Sequence, residues 1–96
     1  MTLFLRCTVL AAMLLVAGCQ TSPPVQEMSD ARQAITAARE AGAEDHAANE
    51  LDAAVEFLSS AEKYLKNRSF TFARRDAIAA MSKALDALKL SEADQE

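Results

Sequence analysis

His46 and Glu50 stand four residues apart, a spacing that puts both on one face of a helix and offers a metal ion two ligands. Glu44 and Asp45 adjoin them, but a third ligand on that face has no source and no His-Glu-x-x-His pattern is present. The simpler reading is a solvent-exposed histidine, and no metal site is assigned. The carboxylates Glu40, Glu44, Asp45, Glu50, Asp52 and Glu56 crowd the same stretch. Acid–base catalysis needs carboxylates in a cleft whose surroundings push their proton affinities apart. Alternated with alanine on a short helix, these six make a solvated face, and Asp45, Glu50 and Asp52 suit the positive end of a helix. With no nucleophile, metal set or acid–base pair assembled, the chain reads as non-enzymatic, with no catalytic residue and no cofactor. Ten Lys and Arg against fourteen Asp and Glu leave a net charge of −4. That balance opposes nucleic-acid binding, which requires a dominant basic face.

The two cysteines, Cys7 and Cys19, fall near the start. One positive residue, Arg6, precedes an uncharged run from Cys7 to Ala17. A run of about ten residues is too short to cross a ~30 Å hydrocarbon core, and with its basic start it reads as a secretory signal. Its end, Val16-Ala17-Gly18-Cys19, resembles a bacterial lipobox. The resemblance implies a signal peptide over 1–18, cleavage before Cys19, a thioether lipid on that sulfur and an acyl chain on the freed amino group. The bland alternative is a secreted protein in which Cys19 is incidental. An Asp after the cysteine resembles the inner-membrane retention signal of enteric bacteria, so Gln20 implies the periplasmic side of the outer membrane. Two or more acyl chains anchor stably where one does not. With Cys7 removed and Cys19 lipidated, no thiol is left for a disulfide, and stability rests on packing alone.

The elements that position these residues are helical. Apolar types make up 51% of the chain, with two Gly, two Pro and no Trp, which excludes an all-β sandwich. Residues 19–27 form a tether around Pro23-Pro24, and the seven from Gln20 to Gln26 reach about 20 Å when extended. Periodicity predicts helices over 28–41, 45–66 and 70–90, followed by a frayed acidic tail at 91–96. Ser22 or Ser29 is expected to cap the first helix and Asp45 the second, with Gly42 ending the first in a left-handed turn. The inward sets are Ala31, Ala34, Ile35, Ala38 and Ala41; then Leu51, Ala54, Leu58, Ala61 and Leu65, broadened by Ala47 and Val55. In the third helix they are Ala73, Ala77, Ile78, Met81, Ala84, Leu85 and Leu88, leaving Phe72, Ala79 and Ala87 off the main stripe. The expected fold is all-α: a signal helix, then a small antiparallel hairpin or three-helix up-down bundle. Alanine contributes 21 residues, which favours close helix approach and limits the apolar area available.

Charge is segregated along the chain. Residues 27–62 hold nine acids and two bases, whereas residues 63–90 hold seven bases and two acids. Lys63, Lys66, Arg68, Arg74 and Arg75 flank the turn at Asn67-Arg68-Ser69. Lys63 and Lys66 suit a helix C-terminus, while Arg74 and Arg75 oppose the dipole at a helix start and call for a compensating partner. Up-down topology returns this turn toward the tether. There the five basic residues, beside Phe70 and Phe72, are either headgroup contacts worth on the order of 1 kcal/mol each or ordinary surface charge over core phenylalanines. Apolar residues on more than one face of the third helix suit a partner helix, self-association or a broad bundle interior.

Ala31 to Ala43 (AR-x-AI-x-AA-x-x-AGA), Glu50 to Ala61 (EL-x-x-A-x-x-x-L-x-x-A) and Ala73 to Ala77 (A-x-x-x-A) together resemble a family of short alanine-rich periplasmic lipoproteins catalogued as a domain of unknown function. Some of its members resemble the front part of larger chains that end in an OmpA-like peptidoglycan-binding domain. Phe57, Ala61 and Tyr64, with Ala73, Ala77 and Ala80, also resemble one tetratricopeptide hairpin, although a stable array takes about three repeats. The expectation is a membrane-anchored, non-catalytic envelope protein acting through helix contact with another envelope protein or its own copy. The rival is a binding module for peptidoglycan or a small ligand.

Overall fold

A computed structural model describes residues 22–95. The signal segment 1–18, with Val16, Ala17 and Gly18, and the lipidation residue Cys19 lie outside the described residues. The described residues form four helices: α1 (Val25–Glu40), α2 (Ala43–His46), α3 (Ala48–Lys66) and α4 (Phe70–Asp94). Among the described residues there is no strand, and no helix is long and apolar enough to cross a membrane.

Helix α1 begins three residues before the expected start. Pro24 is buried at its N-cap, where a missing N–H costs nothing, and its carbonyl accepts from Met28 N at 3.0 Å. Pro24, rather than Ser22 or Ser29, is the N-cap residue. Met28 (2% exposed) joins Ile35 (3%) as a large inward residue, so α1 has two apolar anchors rather than the one expected. The helix ends as its sequence predicts. Gly42 takes φ 87°, a left-handed conformation that side chains disfavour, and its N–H donates to Arg39 O at 3.0 Å.

The short helix α2 was not expected. It is one turn, with Ala43 and Ala47 buried on the same side, so Asp45 falls inside it instead of capping the next helix. Ala47, at φ −150°, breaks the chain before α3 and is the residue preceding its first turn. Helix α3 buries Leu51, Ala54 and Ala61 and half-buries Leu58 and Leu65, while Val55 faces solvent. Its end is a Schellman motif: Ser69 N donates to Tyr64 O at 2.9 Å and Arg68 N to Leu65 O at 3.0 Å. The left-handed position that glycine usually fills is occupied by Arg68, at φ 59°.

Helix α4 packs against both α1 and α3, which touch each other less. Its buried positions are Ala73, Ala77, Ala80, Ala84, Ala87 and Ser91, alternating spacings of four and three, with Asp76 beside them. This corrects the inward face read from the sequence. Ile78 and Leu85 are 50% and 40% exposed, whereas Ala87 is fully buried. The reason is geometric: a helix wedged between two others needs small side chains along its contact line, and the bulky seam rotates outward. Met81 and Leu88, half-buried, pack on the edge of the core formed by Ile35, Leu51 and the surrounding alanines. The end of α4 is docked rather than frayed. Ser91 Oγ donates to Ala87 O at 2.8 Å, and Gln95 Nε2 donates to Ala41 O at 2.6 Å. The path is therefore up, down and up, with the α1–α2 turn and the end of α4 at one pole and the α3–α4 turn at the other.

Candidate functional site: the basic–aromatic pole

The start of α1 and the α3–α4 turn are joined by Arg74. Its Nε donates to Glu27 Oε1 at 3.1 Å and its Nη2 to the Ser22 carbonyl at 2.8 Å. Glu27, in the first turn of α1, is the compensating partner that Arg74 needs against the α4 dipole. Both side chains are about one-third exposed or less, at 27% and 33%. Arg74 is thereby bonded within the fold both to the start of α1 and to the tether carbonyl. A link across 52 residues of sequence carries no periodic signature, which is why the chain alone does not disclose it.

Lys63 and Lys66, exposed, occupy the last turn of α3, where the dipole favours cations. Arg68 is exposed, with its guanidinium carbon 5.9 Å from the Phe70 ring centroid. Arg75 lies 5.0 Å from the centroid of Phe72 and 5.9 Å from that of Tyr64, and these two rings stack at 5.4 Å. Its Nε donates to Asp76 Oδ1 at 3.0 Å, and that hydrogen bond holds the guanidinium above its ordinary range. Asp76, 5% exposed, also accepts from Ser60 Oγ at 2.6 Å, so both carboxylate oxygens are bonded. Ala53, Glu56, Phe57, Ser60, Arg75 and Asp76 line an open cleft of about 350 Å³ between α3 and α4. No motif or spacing in the sequence sets Ser60 and Asp76 apart. The signal available was an aspartate in the otherwise small and apolar inner face of α4.

Apart from Glu56, which lines that cleft, the acidic stretch singled out in the sequence lies elsewhere. His46 Nδ1 is 3.5 Å from Asp94 Oδ2 at the opposite pole, and Glu44 is 3.7 Å from Arg39. Glu40, Asp45, Asp52 and Glu56 are exposed, and Glu50 is half-buried in a shallow groove with Lys83, Asp86, Lys89 and Leu90. Among the described residues, no three of His, Cys, Asp and Glu are grouped so as to hold a metal ion. No protein-family model, curated protein or solved structure matches the chain.

Proposed function

We propose that the protein is a lipid-anchored envelope protein, tethered through Cys19 to the periplasmic side of the outer membrane, whose helical body serves a non-catalytic structural or adaptor role by helix-to-helix contact. The resemblance to short alanine-rich periplasmic lipoproteins points the same way. The observation that carries the adaptor role is the outer seam of α4. Ile78, Met81, Leu85 and Leu88 recur at spacings of three and four, the period of a helix-pairing stripe, and Ile78 and Leu85 remain largely open to solvent. A surface held close to a bilayer by its anchor meets partners in two dimensions, which raises its effective concentration.

Two measurements test this reading. Intact mass of the membrane fraction should find Cys19 diacylglyceryl-modified and amino-terminal; an unmodified thiol on a soluble periplasmic protein would remove the anchor. Photo-crosslinkers at positions 78 and 85 should give discrete products in cells, and those at 45 and 52 should not. A product of twice the protein's mass identifies a second copy. Equal yield from all four positions would defeat the adaptor role. The cleft around Asp76, with a guanidinium and a hydroxyl at its wall, favours the second reading, a binding module for a cell-wall fragment. Saturable retention on purified peptidoglycan that Ser60→Ala and Arg75→Gln abolish would support it.

A further inference from the structure

We propose that the pole formed by the α3–α4 turn docks on an anionic lipid surface, with Lys63, Lys66 and Arg68 as headgroup contacts and Phe72 as the aromatic that enters the interface. The proposal takes its orientation from the lipid-anchored reading but is tested without the lipid. Four observations converge on it.

The first is position. Arg74 fixes Ser22 at this pole, and Cys19 is only three residues earlier, a separation of about 10 Å at full extension. An anchor at Cys19 therefore brings this pole to the headgroups. The second is charge. Each acid on this part of the body already has a polar partner: Glu27 with Arg74, Glu62 with Arg32, Asp30 with Gln26, and Asp76 with Arg75 and Ser60. Lys63, Lys66 and Arg68 are exposed cations beside these pairs and outnumber Asp30, which keeps its charge because its partner is a neutral amide, while Glu40, Glu44, Asp45, Glu92 and Asp94 cluster at the far pole. A molecule polarised this way turns its basic end toward a negative membrane.

The third is the aromatic surface. Phe72 is 49% exposed, yet its ring is held by Tyr64 stacking and by Arg75, an arrangement of apolar face and adjacent cation that suits a bilayer interface. The fourth is backbone strain. The α1–α2 turn uses Gly42 for its left-handed residue, whereas the α3–α4 turn uses Arg68 at φ 59°. An L side chain is disfavoured there, and strain kept at a surface position is accounted for when the side chain does something outside the fold.

The test uses residues 19–96 with Cys19→Ser, which retain every described helix and the whole described core. Flotation with phosphatidylcholine vesicles, with and without phosphatidylglycerol, is the readout. Binding is expected only with the anionic lipid, and it weakens as salt is added. Lys63→Gln, Lys66→Gln and Arg68→Gly each lower partition roughly fivefold. Arg68→Gly also raises the melting temperature, so its loss of binding cannot come from unfolding. Lys83→Gln and Lys89→Gln, equal in charge but far from the pole, leave partition unchanged. Equal binding to neutral vesicles, no effect of Arg68→Gly, or an equal effect of the distal substitutions would overturn the proposal. So would retention on peptidoglycan without vesicle binding. Failure here leaves the mass of Cys19, and hence the anchored reading, untouched.

Discussion

Exchanging the sizes of two neighbouring residues on α4 tests which face is inside. Leu85 is 40% exposed and Ala87 is 0% exposed, although hydrophobicity alone argues for the reverse. Leu85→Ala removes apolar atoms that are partly wet already, and water fills the space, so no cavity term arises. Scaling a full leucine burial of roughly 2 kcal/mol by the buried fraction gives a cost of about 1 kcal/mol. Ala87→Leu instead forces three carbons into a contact between helices that alanine alone fits. Overpacking of this kind costs about 1–3 kcal/mol, and where two helices converge on the seam the upper end applies. For a domain of this size, 1 kcal/mol shifts the melting temperature by roughly 4–8 °C. Thermal unfolding followed by far-ultraviolet circular dichroism should therefore place Ala87→Leu below Leu85→Ala by a margin of about 5 °C or more. If Leu85→Ala melts lower, by the ~2–5 kcal/mol of a buried leucine, the small-residue seam is not the contact line.

Ile35→Ala, at a site 3% exposed within the larger apolar cluster, should cost about 2–4 kcal/mol in denaturant unfolding; an unchanged midpoint would mean that α1 is not part of the core. Gly42→Ala should cost about 1–2 kcal/mol, since the new methyl carbon meets His46 Cδ2 at 3.2 Å in a left-handed backbone. A Gly42→Asn variant should be milder, and the reverse order in melting temperature would contradict the turn assignment. A double-mutant cycle on Glu27→Gln and Arg74→Gln should yield a coupling of roughly 0.5–1 kcal/mol at low salt that shrinks as salt rises, whereas strict additivity would show the pair to be idle.

The helical class, the Gly42 turn and the turn at residues 67–69 are legible in the chain because each rests on local rules of period and backbone freedom. The facing of α4 is not. Two heptad seams run side by side, Ala73-Ala77-Ala80-Ala84-Ala87-Ser91 and, one residue on, Arg74-Ile78-Met81-Leu85-Leu88. Counting apolar bulk selects a face between them, and only the demand of two flanking helices chooses the smaller set. The basic cluster could be grouped from composition, but its internal division could not. Arg74 differs from Arg68 only through Glu27 and Ser22, which are distant in sequence and adjacent in the fold. The docked end of α4 has no local signature for the same reason, since Gln95 meets Ala41 across 54 residues.

Three long passes, an odd number, decide where the body delivers whatever is attached to it. Ser22 leaves from one pole and Gln95 from the other, with the 25 residues of α4 between them. At 1.5 Å per residue that rod is about 37 Å long. A fluorophore or affinity tag joined beyond residue 95 would thus be carried some four nanometres from the attachment side, where a two-helix hairpin would have returned it to the starting level.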